Sequence, residues 1–147
     1  MSKKLFKLDY EESYDFLLLA IFTGSRHYKL CYEINNVLEV GFERIADFEN
    51  HLDKKVARGA FPLFRYYSID EEEYFIIGNK GTIALFIPEY KQVDFFLMIR
   101  NASRYTTAQI IIDKLKQLKQ VSSIIEVDPR KVKSADNFLL INFKDVK

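Results

Sequence analysis

The sequence is poor in the residues that carry covalent and metal chemistry. It holds one cysteine (Cys31), two histidines (His27 and His51) and no tryptophan in 147 residues. A single thiol excludes an intrachain disulfide and suits a reducing compartment. A zinc site takes three or four protein ligands, and no CxxC or HExxH spacing occurs. Glycine-rich phosphate loops are missing too: Gly78-Asn79-Lys80-Gly81 is too short, and no GKS or GxGxxG leads from a strand into a helix. The longest apolar run, Phe16 to Phe22, is far below the roughly 18 residues that a membrane span requires. The net charge of +1 leaves no broad attraction for nucleic acid or anionic membrane, although a local patch can exist.

What is present is a core. Hydrophobic residues make up 48% of the chain and charged ones 29%, which excludes a disordered composition. Thirteen Phe and nine Tyr must largely enter the core or an interface. The length suits one globular domain over residues 1–147. The charged N-terminal MSKKLFKLDY lacks the apolar stretch of a signal peptide, so a cytoplasmic protein with no membrane contact is expected.

Lys3 to Leu8 alternates as a short strand, and Asp9 to Asp15 is an acidic connector. The unbroken run Phe16 to Phe22 predicts a strand buried on both faces. Ser25 is the expected N-cap of a helix whose apolar stripe is Leu30, Cys31, Ile34, Val37 and Leu38, ending near Glu39 or Gly41. Val40 to Ile45 alternates as a strand, and 46–59 is a polar connector. Strands follow over Phe61 to Ile69, Tyr74 to Ile77 and Thr82 to Ile87, with an acidic turn at Asp70 to Glu73 and glycines for positive φ at 78 and 81. Thr106 to Gln109 spells a capping box before a stripe of Ala108, Ile111, Ile112, Leu115 and Leu118, with Lys116 and Lys119 in the last turns. Ser123 to Val127 is a strand, Asp128-Pro129 opens a helical turn, and Phe138 to Phe143 is a last strand.

The central stretch is Ile83 to Arg100, IALFIPEYKQVDFFLMIR, read as a β-hairpin whose first strand ends at Pro88. Ile87-Pro88-Glu89, three residues, then Val93-Asp94-Phe95 resembles the signature of the IPExxxVDY family, an uncharacterised family of Bacteroidetes bacteria, with Phe95 where the pattern has Tyr. YKLCYEIN from Tyr28 and VKSADNFLLINF from Val132 extend the likeness. The resemblance implies no reaction.

The order of elements suggests an α+β, ferredoxin-like sheet from two βαβ units, with an inserted antiparallel hairpin region and two main helices. Two helices cover one sheet face, so the strands apolar at every position require a second cover. That cover is either the extra strands folding back or a partner subunit, and a homodimer with both sheets facing inward is the preferred version.

Glu89 and Asp94 flank the hairpin loop and could pair two carboxylates for hydrolase-type acid–base work. Without a nearby His, Cys or Ser partner, turn and strand-start roles outweigh that reading. His27 and Cys31 lie one helical turn apart, yet Cys31 falls on the apolar stripe as a small core residue. No metal, cofactor or catalytic residue is assigned. The expected function is a non-catalytic protein-binding or regulatory module, self-associating or with a protein partner. Its surface is the signature hairpin: Pro88, Glu89, Tyr90, Asp94 and Phe95, with Tyr90 as an anchor at the loop tip. The alternative is RNA or ribosome association through residues 54–67, where Lys54, Lys55 and Arg58 precede Phe64, Arg65, Tyr66 and Tyr67. The RNP1 pattern is missing, and the acids Asp70 to Glu73 stand beside that cluster.

Overall fold

The computed structural model describes residues 14–49 and 59–141. The proposed strand at Lys3 to Leu8 and the cations Lys54, Lys55 and Arg58 lie outside the described residues, as does His51. Six strands form one sheet: β1 (Phe16–Thr23), β2 (Glu43–Glu49), β3 (Ala60–Tyr67), β4 (Glu73–Gly78), β5 (Phe95–Arg100) and β6 (Val121–Glu126). Two main helices, α1 (His27–Leu38) and α2 (Ala108–Leu115), and a one-turn helix α3 (Asp136–Leu139) complete the α+β fold. The spatial order is β2-β3-β4-β5-β1-β6, and every neighbouring pair is antiparallel. No parallel neighbours exist among the described strands: α1 leads from β1 to β2 at the far edge, and α2 leads from β5 to β6 across β1.

The unbroken apolar strands are buried on both sides, because successive side chains of a strand point to opposite faces. Leu18 and Ala20 of β1 and Phe96 and Met98 of β5 enter one cluster. Leu19 and Ile21, with Phe95, Leu97 and Ile99, enter the other. The second cluster is closed by the helices, through Leu30, Cys31 and Ile34 of α1 and Ala108, Ile111 and Leu115 of α2. The first is closed by the chain itself. Phe86, Ile87 and Val93 from the β4–β5 connection and Val132, Ala135, Phe138 and Ile141 from the C-terminal region lie over it. The cover that the inward-facing homodimer would provide is therefore supplied within one chain.

Several local expectations are corrected. The N-cap of α1 is Arg26, without a side-chain cap bond, because the Ser25 N–H is turned back to Thr23 Oγ at 3.0 Å. Helix α1 ends where expected, with Glu39 left-handed at φ 56°. The strand placed at Val40 to Ile45 begins only at Glu43 and runs on to Glu49 as β2, held by pairing with β3. The cap of α2 is Thr107, not Thr106; its Oγ accepts from the Ile110 N–H at 3.3 Å. Helix α2 stops at Leu115, so Lys116 is its C-cap and Lys119 lies beyond it. Strand β3 ends at Tyr67, and Ile69, 99% exposed, sits in the turn that Glu71 closes at φ 65°.

Two larger expectations fail for tertiary reasons. Thr82 to Ile87 is not a strand, so the hairpin it was to form with β5 does not exist. Both edges of β4 are already filled by β3 and β5. The chain between them folds over the sheet, keeping one isolated bridge, Lys80 to Leu85. The glycines of the preceding turn serve close approach, since no described glycine has positive φ. A Cβ on Gly81 would meet the Phe61 ring at 2.7 Å. The second failure is Phe138 to Phe143, whose described part is helix α3 and a turn. A helical turn puts Phe138 and Ile141 on the same side, three residues apart, and both are fully buried.

Candidate functional site

The signature residues Ile87 to Asp94 lie on the β4–β5 connection, 79–94, with Phe95 opening β5, and that connection is built around one side chain. Asn79 is fully buried. Its Nδ2 donates to the carbonyls of Tyr90 at 2.8 Å and Val93 at 2.9 Å. Its Oδ1 accepts the Ile87 N–H at 2.8 Å. Its main chain adds a bond from its N–H to Asp94 O at 2.9 Å and one from the Phe86 N–H to its own carbonyl at 2.8 Å. A non-repetitive loop buried against a sheet would strand its peptide groups, and Asn79 supplies the partners that strand pairing would otherwise give.

The five signature surface residues separate. Pro88 and Glu89 are exposed. Tyr90 is half-buried, its ring edge-on to Phe96 at 6.3 Å, so it is not a free anchor at a loop tip. Asp94 is half-buried and Phe95 is buried in the helix-side core. Glu89 and Asp94 serve different partners. Glu89 accepts from the Ser134 N–H at 2.5 Å and from Ser134 Oγ at 2.8 Å. Burial works to raise the Glu89 pKa, but hydrogen bonds from its own and the Ser134 N–H groups and hydroxyl, helped by Lys133, hold it below the ordinary carboxylate value. Asp94 accepts the Thr23 N–H at 2.8 Å and pairs with Lys80 Nζ at 2.8 Å. One carboxylate ties the loop to the C-terminal turn and the other ties it to the end of β1.

Cys31 is buried against the Phe42 carbonyl at 4.0 Å, and burial pushes its thiol up to about 11. His27 lies 5.9 Å from the Phe64 ring. Burial, then the Arg44 guanidinium, lowers its pKa against the opposing pull of Asp47. Among the described residues no three His, Cys, Asp or Glu side chains gather as metal ligands.

The basic–aromatic strand is divided by its own pleat. Phe64 is buried in the helix-side core with Tyr66 beside it, half-buried. Arg65 and Tyr67 alternate with them on β3 and so point to the other face. The Arg44 guanidinium lies over Phe64, 5.3 Å from its centroid.

The sequence reading passed over one further polar cluster. Glu72, read as part of an acidic turn, is 4% exposed. It accepts from Tyr74 Oη at 3.0 Å and from the Ser103 N–H at 2.8 Å, joining the β3–β4 turn to the β5–α2 loop. Burial is the main cause that pushes the Tyr74 phenol up to about 12, with Glu72 adding to it. Nothing in the run Asp70 to Glu73 distinguishes the buried acid from its solvated neighbours.

Two open clefts flank the helices. One, of about 550 Å³, lies between the start of α2 and the sheet end and includes Asp15, Asn101, Ser103, Thr106 and Glu126. The other, of about 470 Å³, lies at the start of α1 and includes Ser25, Arg26, His27, Lys80 and Asp94. Glu89 lines neither of them. Among the described residues no helix is long and apolar enough to cross a membrane. Compared with family models, curated proteins and solved structures, the chain has no match in any of the three.

Proposed function

We propose that the chain is a non-catalytic, cytoplasmic binding module whose contact surface is the outer face of α1. The observation that carries this reading is a pair of solvent-facing aromatics one helical turn apart: Tyr28 is 60% exposed and Tyr32 is 65% exposed. Tyrosine at such a position brings large contact area at low entropic cost, which is why it recurs at the centres of interfaces. The reading is also supported by the fate of the polar groups within the fold. Glu72, Asn79 and Asp94 are committed to holding loops. The arrangement is read as an elaborated ferredoxin-like sheet: the order β6-β1-β5-β4 with both main helices on one face, extended at the edge by β3 and β2. Membership of the IPExxxVDY family is part of the proposal, and the signature is then a folding signature, with Pro88 and Glu89 its remaining surface.

The test uses the full chain as bait in cell extract, beside a Tyr28→Ser, Tyr32→Ser double variant with unchanged circular dichroism. The reading expects a defined protein that survives nuclease treatment and is lost with the double variant. Equal recovery by both baits overturns the assignment of α1, and loss on nuclease treatment moves the function to RNA. If the partner is a second copy, sedimentation at micromolar concentration shows a dimer that the double variant abolishes.

A further inference from the structure

The two segments covering the first core cluster are attached in different ways. The connection 79–94 is tied into the sheet by its main chain, with the Asp94 N–H donating to Ile21 O at 3.0 Å and the Thr82 N–H to Ala60 O at 3.2 Å. The C-terminal cover, among the described residues 128–141, is not. Val127 gives the last main-chain bond to a strand, its N–H to Leu18 O at 2.9 Å. From Asp128 to Ile141 the main-chain bonds among the described residues are local and three residues long, as from Val132 to Pro129, Ala135 to Val132 and Ile141 to Phe138. What fastens this segment to the body is side chains. Glu89 takes both donors of Ser134, Asn137 Nδ2 donates to Phe86 O at 2.8 Å, Arg100 donates to Phe138 O at 2.7 Å, and Tyr14 donates to Asp136. Its apolar anchor is Phe138, with ring centroids 5.9, 5.1 and 5.2 Å from Phe16, Phe86 and Phe96.

We infer that residues 128–141 form a hinged cover that opens as one unit about Val127 while the six strands stay paired, uncovering an aromatic groove of Phe16, Phe86 and Phe96. Opening costs these side-chain bonds and the burial of Val132, Ala135, Phe138 and Ile141, but no rung of the sheet. Proteins open below the global transition in contiguous cooperative units that often coincide with supersecondary motifs, and this segment is such a unit by its main-chain bonds. This inference does not depend on the α1 reading.

Native-state hydrogen exchange on the full chain, in stepped sub-denaturing urea, tests it. The amides of Val132, Ala135, Phe138 and Ile141 should share one opening reaction, at least about tenfold more frequent than that of the β5 amides of Leu97 and Met98. Asn137→Ala, which removes the bond to Phe86, should speed the cover amides several-fold and leave the β5 amides unchanged. Exchange of cover and β5 amides at one common rate throughout, or their acceleration in parallel by Asn137→Ala, overturns the hinge.

Discussion

Asn79 Oδ1 accepts the N–H of Ile87, eight residues ahead of it, at 2.8 Å in a site with no solvent exposure. That bond explains why an apolar stretch that would suit a strand is turned into a cover. Asn79→Ala would strand the Ile87 N–H and the Val93 carbonyl inside the protein and leave the Tyr90 carbonyl with the Val93 N–H alone. A buried group left without its partner costs about 1–3 kcal/mol, so a loss on the order of 3 kcal/mol or more is expected. Urea denaturation measures it, and a midpoint shift worth under about 1 kcal/mol would show that water reaches the loop.

Glu72 offers a test of buried polar complementarity. Both of its partners, Tyr74 Oη and the Ser103 N–H, are donors. Glu72→Met removes both acceptor oxygens at similar volume and leaves the part-buried Ser103 N–H without a partner, so roughly 1–3 kcal/mol of stability should be lost. An unchanged denaturation midpoint for this variant would place Glu72 outside the network.

Acid should weaken the latch between Glu89 and Ser134. The Glu89 pKa is depressed in the folded chain, so the folded state binds its proton less readily than the unfolded one. The stabilisation is therefore complete above the unfolded carboxylate value and is lost as pH falls through the lower, folded one. The difference in stability between the wild type and Glu89→Gln should be constant near neutrality and shrink below the ordinary carboxylate range. A difference that does not change with pH would sever the latch from the charge of Glu89.

The thiol of Cys31 should be inert in the native chain. Burial raises it to about 11, so at pH 8 on the order of one molecule in a thousand carries a thiolate, and that one is shielded. Alkylation by iodoacetamide should be slow in buffer and fast in denaturant. Rapid native labelling would mean that α1 lifts from the sheet.

Much of the architecture was legible because it follows from periodicity. The run Phe16 to Phe22 declared a strand with two apolar faces, and Phe95 to Ile99 declared its neighbour, which pairs with it residue for residue. The stripes Leu30, Cys31, Ile34 and Ala108, Ile111, Leu115 declared two helices on one face of the sheet. Caps were legible only to within a residue, since Ser25 and Thr106 have the right chemistry but the chain turns into the helices at Arg26 and Thr107. The candidate surface was the least legible part. Pro88, Glu89, Tyr90, Asp94 and Phe95 are adjacent in sequence, yet Phe95 is buried, Tyr90 half-buried and only Pro88 and Glu89 exposed. The tyrosines of α1 carried no signal beyond lying off the apolar stripe.

The sequence by itself determined the class of the fold, the double burial of the central strands and the need for a second cover over the sheet. Those properties are sums over local patterns of apolar side chains, which any compact arrangement of this chain must bury. Only the tertiary structure decided what that cover is and where the polar groups go. Whether Ile83 to Ile87 pairs as a strand depends on which edges of β4 are free, and whether Asn79 is a turn residue or a buried clamp depends on carbonyls as far as 14 residues away. Hydrogen bonding is directional and non-local, so its partners are fixed only when the strands have taken their places.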